Sequence, residues 1–354
     1  MEMEWSTRDP SAPPAEWPLF GQVVRQLVPL RLELLEDCLN RQRQTGVRLG
    51  EILQRRDLLT RDQVAQVLQL QAREAAGAWR ATLASWAFPY PTFLSLCLPA
   101  YNEEANIEDT LDAACAVLPE FVQQHEILVV NDGSTDHTGI RVNRYAEREP
   151  HVRALHHPHN RGYGAALSTA LHAARGDHVA FMDSDGQFNL LDLPRLLVPL
   201  DRYEIVAGYR RHRADSWQRK VNAWAWNQLI RVVLGVHVRD LDCAFKVFSR
   251  GVVDRLQLQA AGAGINAEIL AQCVRRGLAI CEVPVHHYPR CHGAPTGAAL
   301  RVIVKAFREL PWMVRYRFRF SSPNPPASPP ASADPCPGAG LTSQGNRSEP
   351  CSGK

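Results

Sequence analysis

No run of about 18 consecutive apolar residues occurs in the 354-residue chain, so no segment is read as a membrane-spanning helix. A basic and then apolar leader is also missing. Residues 1–18 are acidic and carry Pro10, Pro13, Pro14 and Pro18, a composition that cannot bury enough surface to offset ordering entropy. The nine cysteines are odd in number and contain no C-x-x-C pair, which gives neither a disulfide framework nor a zinc site and fits a reducing compartment. Charge of one sign is scarce too: 40 basic against 37 acidic side chains leave +3, too balanced for a dedicated nucleic-acid binder. What is present is 45% apolar residues, enough to fill the core of one large domain and a smaller one.

Past a flexible leader (1–18), residues 19–76 show helical periodicity, with Leu27, Leu30, Leu34, Leu35 and later Val64, Val67 and Leu68 on repeating faces. They are expected to form a small all-helical module. Residues 77–92, with Trp79, Trp86, Pro89 and Pro91, read as a connector whose aromatics dock on a neighbouring domain. From Phe93, short β-rich runs (FLSLCL, EILVVN, VRALHH, HVAFMD, YEIVAG) alternate with amphipathic helical stretches. That alternation predicts an α/β fold with a mainly parallel sheet and helices on both faces. The large domain is expected over 93–320, and the Pro- and Ser-rich stretch 321–354 is expected to be disordered.

Ligands gather at the carboxyl ends of strands in such sheets, and the chemistry-bearing residues fall there. The first strand runs into Pro99-Ala100-Tyr101-Asn102-Glu103-Glu104. Pro99 is expected to stop the ladder and Asn102 to cap the next helix; Tyr101 and Glu103 are either part of that helix start or a platform for a nucleotide. The second strand ends in Asn131-Asp132-Gly133-Ser134, turn formers that push Asp132 past the sheet edge. At the third such end, Asp183-Ser184-Asp185-Gly186-Gln187 holds two carboxylates at i and i+2. These reach one cation only where the strand breaks, and Gly186 supplies the break. Two hard oxygen ligands with most positions left to water and phosphate suit Mg2+ or Mn2+ bridging a diphosphate.

Five ordered motifs, LPAYNEEANI, VVNDGSTDHTG, HNRGYGAAL, FMDSDGQF and DLDCAFKVF, resemble glycosyltransferase family 2, in its polyprenyl-phosphate (dolichol-phosphate mannose synthase-like) branch, over about residues 93–311. The resemblance implies a GT-A (Rossmann-like) fold and an inverting, metal-dependent hexosyltransferase. Its donor would be a nucleotide-diphosphate sugar of mannose or glucose and its acceptor a polyprenyl phosphate. Carried over by position, Pro99, Tyr101, Glu103, Val130 and Asp132 would hold the nucleoside. Asp183, Ser184, Asp185 and Gln187 would meet the diphosphate, with Asp183 and Asp185 as metal ligands. Asn131 departs from the family's more frequent aspartate.

A polyprenyl phosphate brings its nucleophilic oxygen as an anion and needs positioning cations more than a base; Lys246, Arg210 and Arg290 are the candidates. Asp240 and Asp242 would orient them or the sugar, and either becomes the general base if the acceptor is a saccharide, small-molecule or protein hydroxyl. A non-catalytic nucleotide-sugar sensor is a further alternative. The stretch from His286 to Gly297 resembles the family's loop that closes over the donor. The basic, aromatic segment 298–320 fits a membrane surface or the flank of the catalytic domain, and the protein is expected in the cytoplasm, free or peripheral on the inner face of the cell membrane.

Residues 48–71, RLGEILQRRDLLTRDQVAQVLQLQ, resemble the N-terminal domain of type II secretion and pilus ATPases, some of which bind cyclic di-GMP through two consecutive copies of such a motif. One copy is present. Arg48, Leu49 and Gly50 would form a half-site for that second messenger, or the module docks a protein partner.

Overall fold

The computed structural model describes residues 19–84, 93–210, 228 and 230–290. Four helices come first: α1 (Phe20–Leu27), α2 (Leu32–Thr45), α3 (Leu49–Arg55) and α4 (Arg61–Ala84). Helix α2 ends at Gly46, whose φ of 72° is the left-handed C-cap that glycine adopts without a Cβ penalty. Val23, Val24, Leu35, Cys38, Leu49, Ile52, Leu53, Leu59 and Val67 make a small core of their own. Helix α4 belongs to two cores, because its first half packs Val67 there while Ala72, Ala75, Ala76 and Trp79 enter the core of the large domain. It therefore continues to Ala84 through part of the stretch expected to be a connector. Trp79 is fully buried, so the expected docking aromatic is an anchor at the end of a rigid helix.

A seven-stranded sheet follows, in the order β3-β2-β1-β4-β6-β5-β7. Its strands are β1 (Phe93–Ala100), β2 (Gln124–Asn131), β3 (Val152–His156), β4 (His178–Phe181), β5 (Ile205–Arg210), β6 (Lys246–Ser249) and β7 (Ile280–Val285). All neighbouring pairs are parallel except those made by β6, which runs against β4 and β5. The parallel half is linked by α5 (Ile107–Phe121), α6 (Thr138–Arg148) and α7 (Tyr163–Ala173). Seven of the eight β1 residues are buried, as a central parallel strand covered on both faces requires.

Two local expectations are corrected. Pro99 does not end the ladder: β1 runs to Ala100, with Pro99 opposite Val130. Asn102 does not cap α5, which starts only at Ile107. It sits at φ 55° and its Oδ1 accepts from the Thr135 amide at 2.9 Å, tying the loop after β1 to the loop after β2. The basic segment 298–320, the leader and the tail lie outside the described residues.

Candidate active site

The strand ends meet above β1, β2 and β4. Strand β4 stops at Phe181, so Asp183 and Asp185 stand on irregular backbone, and Gly186 at φ 73° turns the chain away, as the sequence spacing demanded. The loop is pinned from below: the Ser184 hydroxyl donates to the Pro99 carbonyl at 2.9 Å, and the Thr110 hydroxyl to the Ser184 carbonyl at 3.1 Å. Pro99 thus acts through its carbonyl, and Ser184, 3% exposed, through its side chain, to fix the metal-ligand loop.

Asp183 Oδ1 is buried and accepts no hydrogen bond among the described residues. Burial holds the Asp183 carboxyl above the usual carboxylate range. Tyr163, the first residue of α7, is its neighbour; burial and the Asp183 charge push that phenol well up. Burial and the adjacent Asp183 push Asp185 up to about 6. Its Oδ1 accepts from the Gln187 amide at 3.0 Å. A buried carboxylate oxygen with no donor, beside a second carboxylate raised by like charge, is an arrangement that a divalent cation relieves. The donor set, two aspartates with the other positions open, fits Mg2+ or Mn2+.

The 286–290 loop closes the other side. Gln187 exchanges backbone and side-chain bonds with Tyr288, its carbonyl accepting from the Tyr288 amide at 2.8 Å and its Nε2 donating to the Tyr288 carbonyl at 2.8 Å. His286 is tied to Asp192, its amide donating to Oδ2 at 2.6 Å. Arg290 pairs with Glu103 and lies 3.9 Å from Asp185. Glu103 also accepts from Asn106 Nδ2 at 2.7 Å, and burial raises its carboxyl above the ordinary value despite Arg290. Arg290, Glu103 and Asp185 are therefore one cluster.

Asp132 is 2% exposed, and its carboxylate accepts from the Arg161 and Gly162 amides at 2.9 and 2.8 Å and meets His157 Nδ1 at 2.6 Å. The anion held by the amides of the glycine-rich loop before α7 is thus the Asp132 carboxylate itself. A Cβ on Gly133 would stand 2.3 Å from the His159 carbonyl carbon, so the two loops touch backbone to backbone. Val130 is fully buried in β2, whereas Tyr101 is 39% exposed at the rim.

Other candidates are placed differently. Lys246 was expected to position the acceptor. It is fully buried, and its ammonium donates to the carbonyls of Leu241 and Cys243 and to Asn266 Oδ1. Two of these bonds hold the 241–245 turn and the third ties it to Asn266, so Lys246 braces that turn from within; burial lowers its affinity for its proton. Arg210 makes a bidentate pair with Asp240, Nε to Oδ2 at 2.7 Å and Nη2 to Oδ1 at 2.8 Å. Each thereby occupies the other, and Asp242, half-buried, is the more accessible carboxylate of the two. In the N-terminal module Leu49 and Gly50 are buried, so of the half-site residues only Arg48 projects outward. Two neighbours of the site escaped the sequence reading. Tyr163 carried a signal, as the aromatic in the R-G-Y-G start of α7; Arg48 carried none for this site.

The model of glycosyl transferase family 2 matches residues 95–257. A dodecaprenyl-phosphate galacturonate synthase of Rhizobium johnstonii is 29% identical over 233 residues, 64% of this chain and 68% of that one. A dolichyl-phosphate beta-glucosyltransferase of Trichomonas vaginalis is 32% identical over 226 residues, 56% of this chain and 66% of that one. The chain thus spans about two thirds of the length of these relatives. Glucosyl-3-phosphoglycerate synthase from Mycobacterium tuberculosis, solved with Mn2+ and UDP-glucose, superposes with a TM-score of 0.53 at 25% identity, over 70% of this chain and 84% of that one. Sheet order, strand-end aspartates and these likenesses agree that residues 95–257 are a glycosyl transferase family 2 domain on a GT-A-like fold.

Proposed function

We propose that the protein transfers a hexose, mannose or glucose, with inversion, from a nucleotide-diphosphate sugar to a polyprenyl phosphate. A divalent cation, Mg2+ or Mn2+, would be held by Asp183 and Asp185. The observation that carries the reading is the buried Oδ1 of Asp183, which accepts no hydrogen bond among the described residues, beside Asp185 at the end of β4. When bound, the cation supplies neutralisation of the charge that grows on the leaving nucleoside diphosphate. The remaining work falls to the chain. Arg290, shared between Glu103 and Asp185, stands beside the carboxylates at the point where a diphosphate would bring its own negative charge. The 286–290 loop, laced to Gln187 and Asp192, shields the donor from water.

The relatives named for lipid-phosphate acceptors support this acceptor class. Because such an acceptor arrives as an anion, no general base is required. Among the described residues no helix is long and apolar enough to cross a membrane; the enzyme would meet its lipid at the membrane surface.

A hydroxyl acceptor is the second reading, favoured by the glucosyl-3-phosphoglycerate synthase, which was solved with phosphoglyceric acid. Asp240 or Asp242 would then be the base. The deciding experiment offers a panel of radiolabelled nucleotide sugars with Mn2+ and a short polyprenyl phosphate. Label extracted into organic solvent supports the lipid acceptor. Label that stays in water on a hydroxyl compound supports the second reading, and binding without turnover defeats both in favour of a sensor.

A further inference from the structure

Arg48 belongs by sequence to the helical module, yet its side chain ends at the transfer site. Leu49 and Gly50, the next two residues, are locked inward: a Cβ on Gly50 would stand 3.0 Å from Phe20 Cζ and 3.3 Å from Val64 Cγ1. Arg48 itself is the extended residue before α3, at φ −61° and ψ 139°, and is half-buried. A Cβ built on Gly186 would lie 2.8 Å from Arg48 Nη2. The guanidinium carbon stands over the Tyr288 ring, 5.8 Å from its centroid. Arg48 therefore touches both segments that flank Asp185, the aspartate loop and the 286–290 loop.

The approach is built into the backbone. Gly46 turns the chain at the end of α2, and a Cβ there would stand 3.2 Å from Pro289 Cγ, so the α2–α3 connection lies directly on the closing loop. Behind it the module is fastened to the large domain along α4. Arg61 meets Glu108 at 3.0 Å, Asp109 at 2.8 Å and Asp112 at 2.5 Å on α5. Arg73 meets Glu120 at 3.4 Å, and Trp79 is sunk in the main core.

We propose, resting on the transfer reading above, that Arg48 is a phosphate ligand of the transfer site, so that the N-terminal module is a working part of the active centre. Asp183, Asp185 and Glu103 crowd negative charge into the pocket, and both substrates of the proposed reaction bring more. Arg290 is shared with Glu103 and Asp185. A guanidinium carries five donors in a planar fork that matches phosphate oxygens in pairs. Arg48 brings that fork to the Asp185–Gly186 turn, where a metal-bridged diphosphate would lie. The same chemistry is offered by the donor's diphosphate and by the acceptor's phosphate, and the test separates them.

Full-length wild type, Arg48→Ala and Arg48→Lys are titrated calorimetrically with UDP and GDP in the presence of Mn2+, with uridine and guanosine, and with farnesyl phosphate. For a donor ligand, Arg48→Ala weakens the nucleoside diphosphate that wild type binds about tenfold or more. Nucleoside affinity stays unchanged, and Arg48→Lys recovers part of the loss. A tenfold loss confined to farnesyl phosphate assigns Arg48 to the acceptor instead. Equal losses for diphosphate and nucleoside mean a merely structural role and overturn the proposal, as does binding indifferent to residue 48. Failure of the wild type to bind either diphosphate sinks the transfer reading itself and this inference with it.

Discussion

At residue scale the site is governed by how burial prices charge. Burial raises the Asp183 carboxyl, and burial together with the Asp183 charge raises Asp185, a cost of the metal-free protein that a cation removes. The sign follows from linkage. Burial and the Asp183 charge push the Asp185 carboxyl up to about 6 in the folded chain, above its ordinary range, so between that range and about 6 the folded state binds more protons and stability falls as pH rises. Metal-free Asp185→Asn is therefore expected to melt a few degrees above wild type at pH 7.5, with the gap shrinking as pH falls through 6 towards 4. A gap independent of pH, read by differential scanning calorimetry in EDTA, would contradict this. In the same range Mn2+ competes with the proton, and its affinity for wild type should weaken below pH 6. Lys246 teaches the complement. Its place in D-L-D-C-A-F-K marked it as a site cation, but sequence carries no measure of burial, and here three protein oxygens hold its ammonium. Lys246→Met should cost about 1–3 kcal/mol of stability through those orphaned acceptors, seen in urea unfolding.

Among the elements, the strands of the parallel half were legible because each is a continuous apolar run bounded by turn formers. The expected β1 to β4 coincide with the observed ones to within a few residues at their ends. Strands β6 and β7 were not, since β6 spans only Lys246–Ser249 and β7 contains Pro284, a residue that argues against a strand when read in sequence. The breaks were the most readable features: Gly186 was needed to release the aspartates from strand geometry, and it takes φ 73°. Gly186→Ala is expected to lower transfer by about tenfold or more, because an alanine is strained at that φ and its Cβ would displace the Arg48 guanidinium. Its far-ultraviolet circular dichroism should remain that of wild type. Helix α4 was readable as a helix but not as a joint, because nothing in a linear pattern says that Trp79 faces another domain's core. Trp79→Ala should destabilise the protein by about 3–5 kcal/mol, measured by denaturant unfolding.

For the whole molecule, two cores share one long helix, and a salt-bridge cluster at Arg61 fastens the seam. The contact between residues 48 and 186 spans the chain, and only folding brings them together, which is why the module's sequence pointed to a separate ligand. Arg61→Ala should lower the melting temperature at low salt, with the effect fading at about 1 M salt where the Debye length is about 3 Å. The central claim is that Asp183 and Asp185 hold a divalent cation for sugar transfer. Its most direct test is labelled sugar transferred to a polyprenyl phosphate by wild type and by Asp183→Asn, each in EDTA and after Mn2+ is restored. The account predicts turnover by wild type that EDTA abolishes and Mn2+ restores, and a loss on the order of a hundredfold or more in the variant under every condition. Transfer that survives EDTA, or survives loss of the Asp183 carboxylate, would contradict it.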